Sequence, residues 1–346
     1  MGEANAALAR YDGLLQGLVN PSVLLSPLTS QEAVLSSRIE GTQATMEEVL
    51  EHEAGRPHEP GKAGDIEEVL NYRRALRLGS EEIRERPIRQ ATVRALHREL
   101  MTGVRGQEQT PGEFRKDQNW IGPEGCAIEE ATFVPPSPLH LRDGLEAWER
   151  YLGSPDIDPI IQAAIAHAQF ELLHPFRDGN GRVGRLLIPL FLTQAGRLSQ
   201  PMFYLSAYLE RHRDRYYAGL QALSRDNAWT DWVRFFLTAV IEQARENVTR
   251  VEQIQALYEQ IKAQVRDTTH SQHSAQLVDA LFARPIFRVA DVEANGIPRP
   301  TAHTLLRQLE SIGTIRVMQP AAGRRAAIFA FPALLNVVEG REVIPE

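Results

Sequence analysis

One cysteine, Cys126, stands in a chain of 346 residues. That excludes an intramolecular disulfide and any zinc site built on a cysteine cluster, and it fits a reducing cytoplasm. No His-Glu-x-x-His or Cys-x-x-Cys spacing occurs, so the sequence has no recognisable zinc ligand set. No apolar run approaches the ~20 residues of a bilayer span. Met1-Gly2-Glu3-Ala4-Asn5 also lacks the basic and then apolar opening of a secretory leader. The expectation is a cytoplasmic protein with no membrane segment. Basic excess is missing too: the formal net charge is −7 and the pI near 5.9. This argues against a protein held to nucleic acid mainly by a basic surface, while leaving room for a local patch.

What the chain does have is the stretch His174-Pro175-Phe176-Arg177-Asp178-Gly179-Asn180-Gly181-Arg182-Val183-Gly184-Arg185. An apolar helical run, Pro159 to Leu173, leads into it. Pro175 cannot continue that helix because it lacks an N–H and clashes with the preceding turn, so His174 falls at a helix exit. Gly179 and Gly181 bracket Asn180 and permit a tight turn with close backbone approach to a ligand. Arg182-Val183-Gly184-Arg185-Leu186-Leu187 then opens a second helix. A glycine-rich turn at a helix N-terminus offers unpaired N–H groups and about half a positive charge, which suits a polyphosphate. Arg182 and Arg185, three apart, add two cationic forks.

The pattern His-x-Phe-x-Asp-Gly-Asn-Gly-Arg-x-x-Arg resembles the active-site motif of the Fic family, whose members mostly transfer AMP from ATP to a protein hydroxyl. The resemblance implies a mainly α fold: a Fic-type helical core with a small β-hairpin flap. It implies His174 as general base and Asp178 as ligand of Mg²⁺. Gly179, Asn180, Gly181, Val183 and Gly184 would form the anion-binding turn and helix start, with Arg182 and Arg185 on the β- and γ-phosphates. Phe176 would lie buried beneath the loop. Ser36-Ser37-Arg38-Ile39-Glu40-Gly41 resembles the family's N-terminal inhibitory element, in which the glutamate pairs with the motif's second arginine, here Arg185. The residues alone also allow Glu40 to be an exposed acid at the negative end of a helix.

Along the rest of the chain, residues 1–28 read as an irregular lead-in broken by Pro21 and Pro27. Thr29-Ser30-Gln31-Glu32 has the form of a capping box opening a short helix to Glu40, with Gly41 as its stop. Residues 54–64 read as a breaker-rich loop. Asp65 to Leu78, Ile88 to Met101 and Leu139 to Leu152 carry helical periodicity. His97 and His167 read as hydrogen-bonded core residues, and Arg115 as a structural ion-pair residue. Between Thr110 and Pro136, two extended arms around Pro123 to Gly125 read as a hairpin. It is either a small structural hairpin or, by the resemblance, a flap that holds the target segment by strand addition. Leu186 to Leu192 is apolar all round, with Pro189 as a kink and Gly196 as the stop. Tyr204, Tyr208, Tyr216 and Tyr217, interleaved with Arg211, Arg213 and Arg215, either pack between helices or wall an adenine pocket, with Tyr216 the first choice for nucleotide contact. Trp229 to Arg266 predicts one long helix that bridges domains or packs in a dimer.

The C-terminal unit changes character. Helical stretches around Val278, Val289 and Pro300 to Leu309 precede two strands, Gly313 to Val317 and Ala326 to Phe331, around a turn at Arg324 and Arg325; the order resembles a winged helix. Eight arginines face seven acids there, a near-neutral balance that weakens a DNA role against one in docking or dimer support. The expected domains are an N-terminal region (1–84) with the inhibitory helix at about 30–40, a catalytic core (85–250), a helical linker (251–272) and a winged-helix-like domain (273–346). The expected function is protein adenylyltransferase, using ATP and Mg²⁺ on a Ser, Thr or Tyr hydroxyl, including its own, in a homodimer. Alternatives are removal of AMP at the same site, or a DNA-binding regulator that senses ATP.

Overall fold

The computed structural model describes residues 1–104, 108–123, 125–154, 158–323 and 325–345; Arg324, Glu346 and Glu124 at the expected hairpin turn lie outside them. The chain forms two compact units. Residues 1–13, 35–42 and 67–245 make the first, and residues 14–34, 43–66 and 246–346 the second. In chain order the helices are α1 (Gly2–Gly17), α2 (Pro21–Leu24), α3 (Ser26–Ile39), α4 (Met46–Glu53), α5 (Pro60–Glu85), α6 (Gln90–Leu100), α7 (Pro138–Leu152), α8 (Pro159–Leu173), α9 (Asn180–Gln194), α10 (Ser206–Arg211), α11 (Arg213–Asp226) and α12 (Trp229–Thr269). The last four are α13 (Ser274–Ala283), α14 (Val289–Glu293), α15 (Arg299–Ser311) and α16 (Pro332–Glu339). No helix among the described residues is long and apolar enough to cross a membrane.

The first unit is built on α9, whose Leu186, Ile188, Leu190 and Leu192 are buried, with Pro189 inside the helix. It packs on α8 and α6. Two indoles fix neighbours to α8: Trp148 Nε1 donates to Ala166 O at 2.9 Å and Trp232 Nε1 to Ala164 O at 2.8 Å. Each satisfies a buried N–H while the ring fills core volume. The N-terminus of α8 is capped by Asp158, which accepts from Ile160 N at 2.9 Å and from Asn5 Nδ2 at 2.7 Å.

The second unit contains three short antiparallel strands, β1 (Ile286–Phe287), β2 (Arg316–Gln319) and β3 (Ile328–Ala330), in the order β1-β3-β2. Ala330 lies opposite both Ile286 and Arg316, and the β2–β3 register shifts between Val317 and Gln319. Central β3 is buried throughout, whereas β2 exposes Arg316 and Val317 at an edge.

Four local expectations are corrected. Residues 1–28 are not irregular: Ala4, Leu8, Tyr11 and Leu15 are buried at helical spacing along α1, and Pro21 occupies the first turn of α2, where its missing N–H costs nothing. Thr29 does not cap a helix, because α3 begins earlier and its hydroxyl donates to Leu25 O at 3.2 Å. The capping box belongs instead to Thr45 and Glu48 at α4. Finally, α5 starts at Pro60, inside the expected loop, and the hairpin is reduced to one bridge, Ile121 to Phe133, with a 3₁₀ turn at Ile128–Glu130.

Candidate active site

His174 ends α8 in the left-handed region, at φ 45° and ψ 60°, a conformation costly for a residue with a Cβ. Arg115 compensates. Its Nε donates to His174 O at 2.9 Å, and its Nη2 donates to Pro136 O at 2.6 Å and Leu173 O at 3.3 Å. Its own N–H donates to Pro175 O at 2.9 Å. The guanidinium thus satisfies helix-terminal carbonyls that have no partner within the helix. Its hydrogen bonds go to backbone oxygens, where the sequence suggested a carboxylate.

His97 is the second clamp. Gly112 N–H donates to its Nδ1 at 2.8 Å, so the proton sits on Nε2, which donates to Asp178 O at 3.0 Å. The ring stacks on Phe176 with centroids 3.7 Å apart and planes within 1°. Burial pushes this imidazole down to about 4, which keeps it neutral in that role. Asn180 closes the turn: its Oδ1 accepts from Phe176 N and its Nδ2 donates to Phe176 O, both at 2.8 Å. Phe176 is fully buried under the loop.

The two arginines part company. Arg182 is buried and turned to Glu68, with Nη1 3.2 Å from Oε2, an oxygen that also accepts from Thr42 Oγ1 at 2.6 Å. Arg185 is buried too. Its Nε donates to Ser36 Oγ at 2.9 Å, and its Nη2 donates to Ser36 O at 2.9 Å and Glu40 Oε1 at 2.7 Å. Burial works to raise the Glu40 carboxyl, but the charge and hydrogen bond of Arg185, helped by Arg182 and His174, win and hold it below the ordinary value. Glu40 also lies over the motif turn: a Cβ at Gly181 would come within 2.1 Å of its Oε1. About a third of the Glu40 side chain stays accessible, because it borders a cavity.

That cavity, about 480 Å³, brings Glu40, His174, Gly181, Arg185, Tyr216 and Tyr217 together, along with Glu171, which the sequence did not single out for it. The backbone bridge of Ile121 and Phe133 borders it. Gly179, Asn180, Arg182, Val183 and Gly184 support it from behind without lining it, and neither Ser36 nor Gly41 borders it. Asp178 stands beside the motif turn, nearly half exposed, with Oδ1 accepting from Gly179 N at 2.6 Å. Tyr216 is buried and its hydroxyl meets His167 Nε2 at 2.9 Å. Tyr204 and Tyr208 are buried outside the cavity. Burial, chiefly, brings the His174 imidazole down to about 4, so it is neutral near pH 7 with a lone pair available.

A neutral imidazole, the N-terminus of a helix and a guanidinium facing one cavity define a site for an anionic substrate on a helical scaffold. Residues 1–81 match the Fic/DOC family N-terminal region and residues 87–192 the Fic/DOC family itself, and the chain belongs to the Fic/DOC family. Over 204 residues it is 28% identical to a protein of Aquifex aeolicus named probable protein adenylyltransferase, covering 57% of this chain and 55% of that one. Over 104 residues it is 38% identical to the protein adenylyltransferase Fic of Drosophila erecta, covering 29% and 19%. The chain therefore spans about half the length of the first relative and a fifth of the second. Its fold is similar to that of a Fic family protein from Desulfovibrio desulfuricans, with TM-score 0.56, 21% identity and 95% of each chain covered. It is also similar to a Fic domain containing signaling protein from Bacteroides thetaiotaomicron, with TM-score 0.60, 19% identity, and 72% of this chain and 97% of that one covered.

Proposed function

We propose that this chain is a protein adenylyltransferase that moves AMP from ATP to a Ser, Thr or Tyr hydroxyl of a protein, its own included, and that Glu40 holds it off. The observation that carries the reading is the cavity in which neutral His174, the opening of α9 and Arg185 converge with Glu40. His174 takes the hydroxyl proton; the oxygen forms a bond to the α-phosphorus as the bond from that phosphorus to the α,β-bridging oxygen breaks, and pyrophosphate departs. Arg185 and the positive opening of α9 at Gly181 neutralise the charge that builds on the leaving group. Tyr216 and Tyr217 wall the nucleoside end. Arg182, Asn180, Val183 and Gly184 act from behind: Arg182 is committed to Glu68, and Asn180 to the loop.

Asp178 fits Mg²⁺ that arrives with the phosphates, since a hard carboxylate oxygen suits that ion and the side chain is open to one side. When bound, the ion would offset charge on the phosphate oxygens. In the inhibited state Glu40, with Ser36 and the turn at Gly41 behind it, occupies the guanidinium that a γ-phosphate needs.

A second reading rests on the same carboxylate: Glu40, held ionised inside the cavity, is also placed to orient a water for removal of AMP from a modified protein. The order helix, strand, helix, helix, strand, strand in residues 274–330 supports a winged-helix reading of the C-terminal region. Its exposed His303, Thr304 and Arg307 on α15 make DNA a candidate partner, testable by a shift assay across salt concentrations. A cytoplasmic homodimer is the expected state. The deciding experiment is the intact mass of Glu40→Gly after ATP and Mg²⁺. An AMP increment that disappears in Glu40→Gly/His174→Ala supports transfer; no increment, with AMP lost from a modified protein by the unmutated chain, favours removal.

A further inference from the structure

Glu171 lies one helical turn before His174 on α8 and borders the cavity with its side chain about nine-tenths buried. Its Oε1 is buried without a hydrogen-bond partner. The carboxyl packs across Gly184, where an added Cβ would come within 2.3 Å of Oε1, so a glycine at this point of the motif makes room for an acid behind it. From its own helix it faces His167, whose Nδ1 is 4.0 Å away, and His174. From α9 it faces Arg185, from the end of α3 Glu40, and from α11 Tyr216 and Tyr217. The charge of Arg185 acts on both acids, but its hydrogen bond goes to one of them. Glu40 holds that bond at 2.7 Å, which leaves Glu171 as the carboxyl that is cheaper to keep neutral. A buried neutral carboxyl is a hydroxyl donor in need of an acceptor. The cavity it faces is the one proposed to hold a polyphosphate, which is rich in acceptors.

We propose that Glu171 is a further nucleotide-binding residue, which gives its carboxyl hydrogen bond to a phosphate oxygen and therefore admits the nucleotide in its protonated state alone. The inference rests on the reading that the cavity takes ATP. Chemistry agrees with geometry: burial, reinforced by Glu40 and opposed by Arg185, pushes this carboxyl up to about 8. An ionised Glu171 would set a like charge against the phosphates where little water screens it.

The test is ATP affinity, with Mg²⁺, of Glu40→Gly and of Glu40→Gly/Glu171→Gln between pH 7 and pH 9. If the proton is obligatory, the first protein should lose affinity by roughly tenfold or more over that range. The glutamine variant, whose amide donates at every pH, should hold its affinity, and Glu171→Ala in the same background should bind more weakly than the glutamine variant at both ends. Calorimetry of Glu40→Gly in buffers of different ionisation enthalpy reads the same proton without a second mutation: net proton uptake on binding at pH 8 is expected. Parallel pH profiles with and without Glu171, or no proton uptake, overturn this inference and leave the adenylyltransferase reading intact. No ATP binding at any pH by a cooperatively melting Glu40→Gly protein removes the nucleotide reading and this inference with it.

Discussion

Glu40→Gly removes a single charge-assisted hydrogen bond from Arg185, the one at 2.7 Å, while both bonds to Ser36 at 2.9 Å remain. Such a bond contributes about 1.5–3 kcal/mol, and each 1.4 kcal/mol is a factor of ten. The released guanidinium should therefore raise nucleotide affinity or auto-labelling by about ten- to a hundredfold. The upper end matches the ~2.7 kcal/mol that holds a two-state system 99% off. Clearing the volume above Gly181 adds a steric share, since Oε1 lies 2.1 Å from where a Cβ on that residue would be. Glu40→Gln separates the two: it keeps the volume and loses the charge. Label from α-labelled ATP should rise strongly in Glu40→Gly and less in Glu40→Gln. Unchanged labelling and unchanged ATP affinity in Glu40→Gly would refute the argument that Arg185 is occupied by an inhibitor.

Three further outcomes follow from the geometry. His97→Phe keeps the stacking on Phe176 but loses both hydrogen bonds, leaving Gly112 N–H and Asp178 O without their partner; denaturant unfolding should show a loss of about 1–3 kcal/mol, with label transfer falling as the loop loosens. Glu68→Gln leaves buried Arg182 with only the half-exposed Asp178 carboxylate, 3.8 Å from Nη2, and chemical denaturation should register a loss of about 3 kcal/mol, a far larger effect than loss of an exposed pair such as Arg142 with Glu146. His97, His167 and His174 are pushed down to about 4, 3 and 4 from 6.5, so their neutral folded forms stabilise fully above pH 6.5 and each loses about 1.4 kcal/mol per unit as pH falls toward those values. Glu171, pushed up from 4.5 to about 8, works in the opposite sense: its contribution is complete below 4.5 and is lost as pH rises to 8. Melting temperature should peak near pH 6.5, and His167→Phe should flatten the acid limb; an acid limb of unchanged slope contradicts the assignment.

The site was legible where chemistry and punctuation coincide. Pro159 and Pro175 bracket α8 to the residue, and the glycines and asparagine of the motif announced the turn before α9. Reading stopped at side chains whose role depends on partners far along the chain. Nothing local marks Arg115, His97 or Glu68 as clamps, because their acceptors and donors lie about 15 to 114 residues away. Glu171 hid for a related reason: a glutamate in an apolar helix gives no hint that Gly184, on the next helix, leaves it room. Likewise α1 has no clear local signature, because Gly2, Gly13 and Gly17 weaken its helical preference, while burial of Leu8, Tyr11 and Leu15 overrides that weakness.

Ser36, Glu40 and Thr42 are tied to the two arginines by different routes, and under the proposed inhibition by Glu40 the difference sets which route of relief costs less. Ser36 holds Arg185 through its hydroxyl and carbonyl, while Thr42 reaches Arg182 through Glu68. Withdrawing the segment would break the two bonds from Ser36 to Arg185 and the one from Thr42 to Glu68, each to a charged group and so about 1.5–3 kcal/mol. It would also expose Ile39, fully buried, at about 1.5–3 kcal/mol, and free the Ile39 carbonyl that accepts from Tyr217 at 3.3 Å. Rotating the Glu40 side chain alone breaks one bond and leaves every anchor in place. The cheaper route is the local one, so on the proposed reading a γ-phosphate arriving at Arg185 would have only a single carboxylate to displace, over a backbone that stays where Ser36 and Thr42 fasten it.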